Sequence, residues 1–350
     1  MRSRFTLVRR AALTVIVAIG IGVVALLGYL VYPGTPAAAH TLKFERYIPL
    51  QRHGVLNILD YLTIQGNTLF VAGTSSGSVY QVPLASQAAS TTVTVAEFLG
   101  NPHAHGVALV PSANLAFVTR SGDNVVDIFE PGRLGRLGSL PVAEDPDAIL
   151  FVEADNLVYV ANGDARLATL IDPTAKSIVG TIALEGEPEF AVYDRQEDVV
   201  YQNLKDTHSI AEVSLRKRLV INRWPLDSCE IPTGLALDVQ RRRLFVACGR
   251  SAKLVIFDLV NHRIVASLAI GGGPDSVAYD ASLRRIYSAG TSGQLSVIQQ
   301  DDADTYRLLE NIPTHPGAHT LALDSVSHKV YVGYAGLFVA PRVAVFSTIN

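Results

Sequence analysis

The chain has 350 residues with a net charge of −3, and it is rich in hydrophobic residues (49%) and poor in charged ones (17%). Its first ten residues hold four arginines and no acid, which leaves −7 on the rest; an acidic body argues against nucleic acid, whose phosphates require a basic surface. Only two cysteines occur, with no Cys-x-x-Cys-His run and no cluster of zinc spacing, so a c-type haem protein and a cysteine-built zinc domain are disfavoured.

Residues 1–10 form a basic tail. The 21 residues from Ala11 to Val31 carry no charge, about what a helix needs to cross a hydrocarbon core of roughly 30 Å. Arg2, Arg4, Arg9 and Arg10 in front of them predict a single-pass signal anchor in the cell membrane, with a cytoplasmic N-terminus and the remainder on the periplasmic or extracellular side. The alternative is a signal peptide cleaved near Ala39, although the apolar stretch exceeds the roughly 7 to 15 residues usual for one. Residues 32–40, with Pro33 and Pro36, make a short linker, and the body runs from 41 to 350.

The body is a repeat. Its clearest copy begins with the apolar run Pro146 to Val152, then Leu157 to Asn162 with one aromatic and two valines, then Leu167 to Asp172 and Lys176 to Leu184. The last two alternate apolar and polar residues, the period of a half-buried strand. Aligning on the aromatic of the second strand gives Phe70, Phe117, Tyr159, Tyr201, Phe245, Tyr287 and Tyr331, spaced by 42 to 47 residues. A repeat of about 40 to 45 residues holding four strands predicts a β-propeller blade, which buries its faces only against its neighbours. Seven copies predict one closed all-β domain of seven four-stranded blades.

The local words agree: Leu69-Phe70-Val71-Ala72-Gly73, Leu157-Val158-Tyr159-Val160-Ala161-Asn162, Leu244-Phe245-Val246-Ala247-Cys248 and Val330-Tyr331-Val332-Gly333 are variants of one strand. In them the chain resembles the YVTN family of bacterial β-propeller repeat proteins (YncE-like), whose repeat runs Pro-Asp-x-Val-Ala, Tyr-Val-Ala-Asn, then Val-x-Val-Ile-Asp. The resemblance spans residues 41–350, with departures at Gln202-Asn203 and at Phe117-Val118-Thr119-Arg120. It implies a scaffold rather than a chemistry, because members share a fold more than an activity.

After Arg342 to Ser347 the seventh copy lacks a fourth strand, whereas Leu42 to Leu50 has the alternation of the outer strands. The N-terminal strand is therefore expected to complete the last blade and close the ring. It would ascend from the bottom face, so the linker attaches there and the top face points away from the membrane.

Function in propellers concentrates on that top face, where the loops entering the innermost strands converge on a central channel. Two places before the first apolar residue of each inner strand stand Asp60, His105, Asp147, Glu189, Thr233, Asp275 and His319, the candidate ligand-binding ring. His103 and His315 lie nearby, and His208 sits in a loop that also opens upward. A divalent metal is the candidate cofactor, with His105, His319 and Asp60 the candidate ligands; imidazole with carboxylate suits zinc, manganese, nickel or iron, and a carboxylate-dominated set suits calcium. The competing reading makes the carboxylates beside a proline, Asp147, Glu189 and Asp275, caps of tight turns. Cys229 and Cys248 both fall in the fifth repeat; a simple hairpin pairs Cys248 with Thr233, so a disulfide requires the preceding loop to fold back, and two separate thiols are the alternative.

The leading functional expectation is a membrane-tethered binding or scaffold module whose partner is an extracytoplasmic protein or a small ligand, with no catalysis required. The alternative is a metal-dependent hydrolase of lactonase type using the ring to polarise a carbonyl or activate water. No serine nucleophile elbow, phosphate loop or Asp box is present.

Overall fold

The computed structural model describes residues 39–84, 94–97, 103–133 and 135–349. The basic tail, the anchor expected at 11–31 and most of the linker lie outside the described residues, and among those described no helix is long and apolar enough to cross a membrane.

Six sheets of four antiparallel strands and one of five are arranged as seven blades. Inner strands Leu62–Gln65, Ala104–Val110, Pro146–Val152, Pro188–Asp194, Pro232–Asp238, Pro274–Asp280 and Leu321–Asp324 belong to blades one to seven. A blade presents two apolar faces, so the core is divided among the interfaces between blades. Tyr159 packs with Val200 and Leu204 of the next blade, and Phe245 with Val277 and Ile286. The seven repeat aromatics, Phe70 to Tyr331, are each at most 3% exposed. Burial of such side chains is worth about 1.5–3 kcal/mol apiece.

Ring closure follows the expected exchange: Leu42–Pro49 pairs with Val339–Thr348, from Leu42 opposite Thr348 to Pro49 opposite Arg342. Arg342 lies over the Tyr47 ring at 4.2 Å, fastening the two ends of the chain. An addition that the repeat did not announce is a fifth strand in the seventh blade, Leu56–Asn57, paired with the raised end of Lys329–Leu337.

Side-chain bonds near the axis stitch the blades together. Thr63 Oγ1 donates to the Val107 carbonyl (3.1 Å), Thr119 Oγ1 to Asp147 (2.6 Å), Asn203 Nδ2 to Thr233 (2.6 Å) and Thr233 Oγ1 to Pro274 (2.7 Å). The Thr233 hydroxyl, expected as a ligand of the ring, is thus committed to joining blades five and six.

Cys229 and Cys248 form a disulfide. The expected register is off by one, because a bulge between Pro232 and Leu235 sets Cys248 opposite Pro232 rather than Thr233. Ile231, with φ of 56°, bends the incoming loop back toward the strand.

Candidate functional site

Five of the seven ring residues sit in a β-bulge. The pairing of inner strand with second strand slips between Ala104 and Val107, Pro146 and Ile149, Pro188 and Ala191, Pro232 and Leu235, and Pro274 and Ser276. His105, Asp147, Glu189, Thr233 and Asp275 occupy those unpaired places, and a bulge re-aims the side chain it carries. Asp60 and His319 come just before their strands. Gly106 permits the closest approach: a Cβ there would stand 3.1 Å from the Asp147 carbonyl oxygen and 2.7 Å from Ile149 Cγ2. Blade two can therefore lean on blade three and bring His105 to Asp147.

The result is a half-buried, acidic mouth. His105 Nδ1 donates to Asp60 Oδ2 at 2.6 Å and lies 3.5 Å from Asp147 Oδ1, while Nε2 meets Ser121 Oγ at 2.8 Å. Across the mouth His319 Nδ1 donates to the Gly317 carbonyl at 2.7 Å, which leaves Nε2 facing Asp275 Oδ2 at 3.7 Å. Glu189 pairs with Lys205 at 2.8 Å, and the same ammonium holds Glu187 at 2.8 Å.

Sequence reasoning grouped His105, His319 and Asp60 as one metal set. The structure separates them into two overlapping triads, Asp60–His105–Asp147 and Asp60–Asp275–His319, each with ligand atoms within 4.8 Å of one another. The reason is local: both nitrogens of His105 are already engaged, one by carboxylates and one by Ser121, so it cannot turn toward His319. The turn-capping alternative for Asp147, Glu189 and Asp275 is not what their side chains do, since none accepts a backbone hydrogen bond among the described residues. Turn capping falls instead to the aspartates at the opposite ends of the strands, such as Asp172, Asp258 and Asp324. His208 Nδ1 accepts from the Ile231 backbone N–H (3.1 Å), which ties it to the loop of the next blade.

Crowding sets the protonation states. Burial, then the Glu189 charge, pushes Asp147 well above the usual carboxylate range. Burial pushes Asp275 up to about 7 against the pull of His319. Glu189 is raised by burial despite Lys205. For His105 burial works to lower the value, but the hydrogen bond and charge of Asp60 and the charge of Asp147 outweigh it and lift the imidazole to about 9. At neutral pH the proton stays on His105.

Three residues at the site were missed. Tyr61, only 7% exposed, lies across the axis edge-on to Phe190 of blade four, with ring centroids 5.2 Å apart. Farther along the inner strands lies a channel of about 770 Å³ of mixed polarity, lined among others by Ile64, Leu109, Phe151, Glu153, Arg195 and Leu323. The signal lay in the column after the ring residue, where Gly106, Ala148, Gly234, Ser276 and Thr320 are small and only Tyr61 and Phe190 are large. Lys205 and Ser121 sit in loops between second and third strands, where nothing in the repeat marks them.

Solved structures share this architecture at low identity. The hydrazine synthase of Kuenenia stuttgartiensis superposes with a TM-score of 0.73 at 15% identity, covering 85% of this chain and 98% of that one. The WD40 β-propeller domain of Doa1 gives 0.69 at 13%, covering 89% and 97%, and the WD40 repeats of RRP9 give 0.72 at 12%, covering 91% and 100%. These likenesses establish the seven-bladed WD40-like propeller fold and nothing finer. No protein-family model and no curated protein matches the sequence.

Proposed function

We propose that the chain is an exported binding module of the YVTN (YncE-like) kind, held to the membrane by residues 11–31, whose channel mouth is a receptor for a cation. The observation that carries this is the convergence of Asp60, Asp147, Glu189 and Asp275 from four blades onto one half-buried mouth. The cations paired there are fewer than the acids: the His105 imidazolium sits on Asp60, and Lys205, on Glu189, is already shared with Glu187. Uncompensated carboxylates at low dielectric attract protons or a positive ligand.

Ser121, His105 and Asp60 have the spacing of a nucleophile, base and orienter, yet the electrostatics oppose acyl transfer. An imidazole whose proton is held to about pH 9 is no base at neutrality, so it cannot take the Ser121 proton. Binding is therefore the better reading. The second reading, metal-dependent hydrolysis of lactonase type, is favoured by one observation. The Gly317 carbonyl fixes the tautomer of His319 so that Nε2 is left as a ligand beside Asp275 and Asp60. A divalent ion held there would supply carbonyl polarisation.

The test is calorimetric titration of the full chain with Mn²⁺, Zn²⁺ and Ca²⁺, beside Asp60→Asn and His319→Ala. Saturable binding lost in Asp60→Asn supports the receptor; chelator-sensitive lactone hydrolysis lost in His319→Ala moves the hydrolase ahead. A mouth that takes neither an ion nor any organic cation overturns the proposal.

A further inference from the structure

We infer that the cation taken at the mouth is borne by a partner protein, as an arginine or lysine side chain flanked by bulky apolar residues that settle on an apolar platform beside the mouth. This rests on the cation-receptor reading above and names the chemistry of its ligand.

The platform is built by the extra strand of blade seven. Leu56 lies opposite Leu337, and the Phe338 backbone N–H donates to the Val55 carbonyl at 2.7 Å. Val55, Leu56, Ile58, Leu337 and Phe338 are between 38% and 51% exposed, five of the thirteen large apolar side chains exposed among the described residues. The other eight are spread over blades two to seven, and scattered apolar residues are ordinary on a protein surface. A contiguous group rimmed by polar residues is not, and it marks an interaction surface.

The surface is held in shape rather than left loose. Asn57 Nδ2 donates to the Val339 carbonyl at 3.1 Å, and the Ile58 N–H donates to Ser75 Oγ at 2.9 Å. Leu59, 3% exposed, roots the segment in the core between blades seven and one. The next residues are Asp60 and Tyr61, so platform and mouth are neighbours along a single stretch of chain.

The mouth carries a second sign that it is made for a donor-rich guest. The Tyr61 side chain is nearly buried, and its hydroxyl, with no hydrogen bond to a described residue, sits in the field of Asp147, Glu189, Asp275 and Asp60. A guanidinium offers five N–H donors in a rigid fork, suited to several carboxylates and a phenol at once; an ammonium offers three. A bare metal ion would satisfy the carboxylates and leave the platform uncovered. The two features together fit a protein ligand with a cation between apolar anchors, the composition of interface hot spots.

The experiment uses the full chain in a lipid nanodisc and three capped peptides: Leu-Arg-Phe, the same with citrulline for arginine, and Ser-Arg-Ser. Binding is read by calorimetry, with Mn²⁺ as the small-ion control. Leu-Arg-Phe should bind, and either replacement should weaken it by about tenfold or more. Asp60→Asn should erase the preference for arginine over citrulline. Leu56→Ser combined with Phe338→Ser should erase the preference for apolar flanks; both side chains are about half exposed, so the melting profile should be unchanged. If Mn²⁺ binds and no peptide does, this inference falls and the cation receptor stands. If neither binds, both fall. Peptide binding indifferent to citrulline also overturns the inference.

Discussion

Buried carboxylates occur in two regions of this propeller, and they are treated oppositely. Within and between the blades, away from the axis, each has a cation of its own: Asp127 has Arg120 and Arg136, Asp194 has Arg242, Asp258 has Arg243, Asp238 has Arg241, and Asp280 has His328 in place of a guanidinium. At the mouth, Asp60, Asp147, Glu189 and Asp275 crowd together around two histidines and one shared lysine. The difference teaches which charges belong to the fold. A matched carboxylate is fixed by its partner and its removal damages the structure, whereas an unmatched one is tolerated only because the bulges and stitches of the ring force it there.

The sharpest way to break that comparison is to remove one cation from the matched set. Arg120, 1% exposed, binds Asp127 at 2.6 Å and Asp123 at 2.8 Å. Arg120→Ala leaves Asp127, fully buried, with only Arg136 at 3.3 Å. A loss of about 3–5 kcal/mol is expected, read as a lower urea midpoint with an unchanged slope.

Much of this architecture was legible in the sequence, and for a physical reason. A blade must bury an aromatic against its neighbour at the same place each time, so Phe70 through Tyr331 mark a period that survives wide variation elsewhere. Ring closure was legible because a missing outer strand at one end and a spare one at the other admit one economical solution. The ring itself was legible as a column of residues, but its wiring was not: which nitrogen of His105 faces Asp60 depends on Ser121 in a loop that the repeat leaves free. The hairpin register near Cys248 failed for a related reason, since a bulge adds a residue to one strand without changing composition. The extra strand Leu56–Asn57 left no trace, because two residues carry no period.

A gentler break is titration. Asp275 has a folded value of about 7 against an ordinary 3.8, so its proton stabilises the fold fully below about pH 4, and that contribution is lost as pH rises through 7. His105, at about 9 against 6.5, acts in the same direction: its contribution is complete below about pH 6.5 and lost as pH rises through 9. Asp258, held below the ordinary range by hydrogen bonds from Asn261 and Val260, runs the other way, with stability present above about pH 4 and lost as pH falls through its lowered value. Stability should therefore decline between about pH 4 and 9 through these two groups. Asp275→Asn should flatten the lower part of that decline and be more stable than the parent at pH 8 by about 1–2 kcal/mol, allowing for solvent at a quarter-exposed side chain. A steeper decline in the variant would show that the mouth is not the source.

The smallest effect discriminates most finely, because it applies one substitution to two tyrosines. Tyr159 belongs to the blade core, and its hydroxyl donates to Gln202 Oε1 at 3.1 Å. Tyr61 belongs to the mouth, and its hydroxyl has no partner among the described residues. Removing a made hydrogen bond between buried groups costs about 0.5–1.5 kcal/mol and leaves Gln202 short of a donor, so Tyr159→Phe should destabilise by that amount. Tyr61 makes no such bond to a described residue, so Tyr61→Phe should be neutral to within about 0.5 kcal/mol in the unliganded protein. An effect then emerges with a guest in place: if the phenol accepts from a bound guanidinium, Tyr61→Phe should weaken Leu-Arg-Phe while sparing the fold. A Tyr61→Phe variant that loses stability as Tyr159→Phe does would make Tyr61 an ordinary member of the core and return the mouth to the matched, structural class.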